Sequence, residues 1–271
     1  MALAGEESLD DARRRKQLRA LLEEHTRKIV FGLSFAAAVI VAWQIIVTAY
    51  DVRPTTLPSP LRIVEVIFSQ HVVLLENAVP TTLETIGGFL LSVVLGGFLG
   101  LVMSWSRNAR DALYPNVLFF QLIPKVAVAP LFMIWLGIGS SARLAIAVFI
   151  AFFPMVISTT AGFNAADPAL LRLCKSLTAS KRQVFFQVQL PLSLPFLFNG
   201  MKISMTLALI GVIVAEFITS EQGLGYIILF AGAHLDTPLM MAATVVLCLV
   251  GLLLYGAVAA GEGLVMRRFG P

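Results

Sequence analysis

The chain has 271 residues, of which 58% are hydrophobic and only 13% charged, with a formal net charge of +4. Soluble domains carry about 25% charged residues, so this composition leaves too little polar surface to cover a globule in water. Disordered, collagen-like and disulfide-scaffold classes are excluded with it, and what remains is an all-α integral membrane protein whose helices satisfy their own backbone groups.

In chain order, Arg13, Arg14, Arg15 and Lys16 are followed by polar residues, which is not a signal-peptide pattern. Leu18, Leu21, Leu22 and His25 then recur at helical spacing among basic residues. Residues 1–28 are expected to form a cytoplasmic amphipathic segment, lying on the membrane or packed on another subunit. Crossing a bilayer takes about 20 mostly apolar residues. Six runs qualify within a transmembrane body at 29–271: 29–50, 81–105, 113–136, 142–163, 195–218 and 239–265. The stretch 61–75, with Arg62 and Glu65, is too short and charged to span and is expected as an outer surface helix. The third run is expected to be interrupted at Pro124 and Pro130. Trp43, Trp105 and Trp135 fall near span ends, where indoles anchor.

With both termini cytoplasmic, fifteen of the twenty Lys and Arg residues fall on the inner side, among them Arg107, Arg110, Arg172, Lys175, Lys181, Arg182, Arg267 and Arg268. Only Arg53, Arg62 and Arg143 fall outside, and Lys125 and Lys202 fall within spans. The positive-inside rule therefore fixes the orientation and accounts for the basic balance without a nucleic-acid partner.

The segment 164–194 carries the most local signal. Asp167 followed by Pro168 is an N-cap with proline at the first helical position. Leu170, Leu173, Cys174 and Leu177 share one face of the short helix that follows, with Arg172 and Lys175 on the other. Ser180 and Gln183 have capping-box spacing and start a second helix, joined to the first near Thr178 and Ala179. A helix–turn–helix knob with an apolar stripe, projecting into water, calls for a partner groove.

Enzyme templates fail throughout. There is no glycine-rich phosphate loop, no His-Glu-x-x-His and no Gly-x-Ser-x-Gly, and His25, His71 and His234 sit in unrelated segments. Cys174 and Cys248 match no disulfide or metal spacing and read as small packing residues. No catalytic or metal site is expected. Transport needs an energy source, which is either an ion gradient or ATP hydrolysis on a partner.

The segments DPALLRLCKSLTASKRQVFFQVQLPLSLPFLFNGMKIS (167–204), AEFITSEQGLGYII (215–228) and PKVAVAPLFMIWLGIG (124–139) resemble the permease subunit of a bacterial binding-protein-dependent ABC importer, nearest the nitrate, sulfonate and taurine group. That resemblance implies a six-helix permease of the inner membrane, working as a homodimer or with a paralogue. It further implies two cytoplasmic ATPase subunits, which would hold the ATP and Mg, and a periplasmic substrate-binding protein. The loop at Asp167, Leu170, Arg172, Leu173, Cys174, Lys175, Leu177, Thr178, Ala179, Ser180 and Gln183 would enter a cleft of the ATPase. The family typically has Glu-Ala-Ala and then glycine here, where this chain has Arg172, Leu173, Cys174 and Thr178. Arg172 therefore calls for an acidic partner, and Thr178 is costly only if the turn requires a positive φ.

Four residues are candidates for the translocation path: Pro124, Lys125, Lys202 and Glu216. In a straight third span Lys125 would lie about 18 Å deep, where it either lines the path and attracts an anion or pairs with a carboxylate or with carbonyls freed by the prolines. Lys202 can snorkel to the cytoplasm. Glu216 either gates the outer mouth or pairs at the interface, and Glu84 is expected at the outer interface. The solute is expected to be small and anionic, such as a sulfonate or nitrate, although the same group also carries neutral heterocycles. The rival classes are an ion-coupled carrier, which would show repeated broken helices at the midplane, and a non-transporting membrane scaffold.

Overall fold

The computed structural model describes residues 27, 30–32, 34–219 and 221–269. The amphipathic segment expected at 1–28 lies outside the described residues except for Arg27. The chain divides into two compact units, 1–64 and 65–271.

The first unit contains α1, Val30–Ala49, and the beginning of α2, Pro60–Ser69. Proline opens α2 at the position where a missing N–H costs nothing. The Gln44 carboxamide oxygen accepts from Leu61 N at 3.2 Å, which ties α1 to the start of α2. The short helix expected over 61–75 is thus shorter. Gln70 breaks it, and the chain restarts as a long helix at His71.

The second unit is built around three long helices: α3 (His71–Trp105), α6 (Ser140–Phe163) and α9 (Leu190–Thr219). Helices in lipid gain little from the hydrophobic effect against one another, so close packing of small residues has to hold them. The buried face of α3 has that character. Ala78, Thr81, Thr85, Gly88, Ser92, Gly96 and Gly100 follow one another at helical spacing, and Gly88, Ser92, Gly96 and Gly100 face α6. A Cβ at Gly88 would stand 2.6 Å from Ala147 Cβ, and one at Gly100 would stand 2.6 Å from Thr159 Cβ. Hydroxyls then bridge the helices: Ser92 Oγ donates to Val148 O at 3.2 Å, Thr160 Oγ1 to Gly100 O at 3.3 Å, and Ser204 Oγ to Ala151 O at 2.8 Å. Ala142, Ala147, Ala151, Val156, Ala208 and Val212 are buried in the same core.

The third predicted span is not one helix. It is α4 (Arg107–Leu122) followed by α5 (Lys125–Leu136), bent by 97°. Pro124 drives the residue before it toward extended backbone, and Ile123 has ψ 130. Pro130, also expected to interrupt, lies inside α5 without breaking it.

Two further elements precede α9. These are α7 (Pro168–Ser176) and α8 (Lys181–Val184), and a π-helical turn at Phe185–Gln189 joins α8 to α9. The fifth span was expected to begin at 195, separate from the cytoplasmic knob. Instead one helical rod runs Lys181–Ile218. Proline at 191 cannot donate and crowds the carbonyl one turn back, and the widened π turn immediately upstream relieves that crowding. After α9 come α10, Leu224–Ala233, and α11, Thr237–Phe269. Among the described residues, five helices are long and apolar enough to span, and there are six if the bent pair counts as one span. Cys248 is exposed on α11 and not packed inside the fold, while Cys174 is half-buried.

Candidate functional site

At the end of the molecule where α3 and α6 terminate, α7 and α8 form the expected helix–turn–helix. Asp167 Oδ1 accepts from Ala169 N at 2.7 Å and caps α7. Ser180 and Gln183 cap each other reciprocally, N to Oε1 at 2.8 Å and N to Oγ at 3.3 Å. The turn between them is a Schellman motif: Ala179 N donates to Cys174 O and Thr178 N to Lys175 O. That motif places Thr178 in the left-handed region, at φ 56. The conformation for which glycine is suited is therefore required here, and a β-branched residue occupies it. Leu173 and Leu177 are 54% and 69% exposed, with Leu170 beside them.

Behind the turn lies a groove of about 900 Å³, with Trp105, Leu171 and Phe186 among its apolar lining and Lys175, Lys181 and Arg182 among its basic lining. Phe185 stacks on Phe163 with ring centroids 5.4 Å apart and planes 5° from parallel, and meets Trp105 edge-on at 5.8 Å. Arg110 donates to Asn164 Oδ1 at 2.5 Å, tying α4 to the end of α6.

The four path candidates stand in three separate environments. Pro124 and Lys125 occupy the bend, so the depth expected from a straight span does not apply. The Lys125 amine lies 5.7 Å from the Phe153 ring centroid. Among the described residues, no carboxylate or freed carbonyl holds that amine. Lys202 Nζ pairs with Glu262 Oε2 of α11 at 2.8 Å instead of only snorkelling. Glu216 is buried, 1% exposed. Its carboxylate accepts from Thr81 Oγ1 at 2.6 Å and from Gly225 N at 2.7 Å. Leu224 N donates to Thr81 Oγ1 at 2.9 Å and Gly223 N to Asn77 Oδ1 at 2.8 Å. Three successive N–H groups at the start of α10 are thus capped by side chains of α3 and α9. Gly223 lies against the Glu216 carboxylate so closely that a Cβ there would overlap it.

Glu84, expected at the outer interface, is clasped by Arg143 through contacts of 2.6 to 2.9 Å. Both side chains are largely buried. Asn77, Thr81 and Glu262 were not singled out from sequence. The only local signal for the first two is their i, i+4 spacing on the face of α3 that meets the GLG turn.

A family model described as "binding-protein-dependent transport system inner membrane component" matches residues 92–264. The chain belongs to this family. The permease is 32% identical over 233 residues to the formylaminopyrimidine transport permease protein ThiX of Halalkalibacterium halodurans, covering 86% of this chain and 93% of the relative. It is 33% identical over 231 residues to the riboflavin transport system permease protein RibX of Chloroflexus aurantiacus, covering 84% and 86%. Identity to the taurine transport system permease protein TauC of Escherichia coli is 25% over 236 residues, covering 84% and 86%. A solved structure of the MetNI methionine ABC transporter, in an inward-facing conformation, shares the fold, with TM-score 0.63 at 18% identity over 73% of this chain and 98% of that one. The permease is thus the membrane subunit of an ABC importer. Its matched region, 92–264, takes in the bend, the α7–α8 turn and the GLG turn.

Proposed function

We propose that this permease forms the solute path of an inner-membrane ABC importer and draws its energy from two cytoplasmic ATPase subunits that receive the α7–α8 turn. The supporting observation is that turn: a capped, apolar-faced projection, built on the same helical rod as a membrane span, so that force on it reaches the membrane directly. ATP and Mg would belong to the ATPases, solute delivery to a periplasmic binding protein, and the second half of the path to another copy of this chain or a paralogue. The basic residues of α4, α7, α8 and the end of α11 support a cytoplasmic placement of the turn and of both termini.

For the solute we propose a small anion. Lys125 supports this, since a cation at a helix break with no carboxylate partner among the described residues supplies positive potential within the membrane. A second reading, a neutral or weakly charged heterocycle, is favoured by the relatives named for formylaminopyrimidine and riboflavin.

The test is ATP-dependent uptake by cells carrying the permease with its own ATPase and binding protein. Changing Leu173 and Leu177 together to Asp should release the ATPase on co-purification and abolish uptake. Retained uptake, or uptake driven by a proton gradient alone, would refute the importer reading. Competition by taurine and nitrate against riboflavin in the same assay decides between the two solute classes.

A further inference from the structure

Three helices meet end to end at Phe185. Trp105 is the last residue of α3, Phe163 the last of α6, and Phe185 the first of the π turn. We propose that Phe185 is a positioning residue that passes displacement of the cytoplasmic turn to α3 and α6 together, with the π turn setting its register. This inference rests on the reading that ATPases act on the turn.

The geometry is that of a clamp with two jaws. The Phe185 ring lies flat on Phe163 and edge-on to Trp105, both within the range in which aromatic pairs attract. Flat stacking resists sliding of one ring through the other, so a push on the π turn bears on the end of α6. Trp105 carries the same push to α3. Those two helices do not yield independently, because the Gly88, Gly96 and Gly100 contacts lock them along their length. The opposite end of the locked pair holds the Glu84–Arg143 ion pair and, through Thr81, the start of α10. A displacement entering at Phe185 is therefore delivered to the far side of the membrane.

The π turn explains why Phe185 faces the clamp. Within Phe185–Gln189 the hydrogen bonds skip one residue more than in an α-helix, and Leu190 N donates to Phe185 O. Each residue in an α-helix turns by about 100°, so the extra residue changes the direction of Phe185 relative to α9 by about that angle. In an uninterrupted α ladder the ring would point away from Phe163. Single π turns within long helices commonly mark functional positions.

The experiment uses the permease–ATPase complex in right-side-out vesicles, with Gln222→Cys in a Cys248→Ser background as an outer reporter. Labelling by a membrane-impermeant maleimide is timed with and without ATP and vanadate loaded inside. Trapping nucleotide should shift the labelling rate in the parent and in Phe185→Tyr. It should not shift it in Phe185→Ala, nor after deletion of Gln187, which lets the α ladder run through, although both still co-purify with the ATPase and trap nucleotide. The proposal fails if Phe185→Ala responds as the parent does, if the parent shows no shift, or if Phe185→Ala sheds the ATPase. A parent chain that never holds the ATPase instead refutes the reading on which the inference rests.

Discussion

Thr178 is the residue at which this chain departs most clearly from what its own backbone requires. The Schellman turn holds it at φ 56, and a residue bearing a Cβ pays roughly 1–2 kcal/mol for that conformation. Thr178→Gly should therefore raise the stability of the α7–α8 turn, seen as slower amide exchange over residues 168–183; unchanged or faster exchange would show that Thr178 is held there by something else. The caps around it were legible in the sequence because they are local: Asp167 reaches Ala169, and Ser180 reaches Gln183. The partners of Glu216 and Glu84 could not be read, for the opposite reason. Thr81 and Arg143 lie 135 and 59 residues away, and only the packed helices bring them together. Thr178 itself could be read only conditionally, since sequence does not report φ.

At the scale of elements, apolar run length identified the five long span helices, because the bilayer sets that length and allows few ways to satisfy the backbone. Prolines were a poorer guide. Pro124 breaks its span, whereas Pro130 and Pro195 lie inside helices, so the residue type alone does not decide the outcome. The contact between α3 and α6 is decided by glycine. A Cβ at Gly100 would lie 2.8 Å from the Val156 carbonyl oxygen as well as against Thr159, whereas Gly97 has nothing nearer than Met155 Cε at 3.8 Å. Overpacking of this kind costs roughly 1–3 kcal/mol. Gly100→Val should lower the thermal unfolding midpoint in detergent while Gly97→Val leaves it nearly unchanged. Equal shifts would mean that the stripe is not what holds the helices together.

For the whole molecule, charge predicts the orientation from sequence alone, with the turn and the capped GLG segment on opposite faces of the membrane. Impermeant maleimide added outside intact cells should label Gln222→Cys and spare Ser176→Cys until the membrane is permeabilised; the reverse pattern would invert the topology. The angle of the bend at Pro124 and the continuity of α8 with α9 could not be read in the same way, because both depend on how the spans pack. The cap on α10 has a consequence for biogenesis. Ten apolar residues are too few to insert as a span, and the N–H groups of Gly223, Leu224 and Gly225 at its start are accepted by Asn77, Thr81 and Glu216. Until α3 and α9 have associated in the bilayer, those groups must remain with water at the membrane surface. The segment Leu224–Ala233 therefore settles late, and its arrival reports that the preceding helices have assembled correctly.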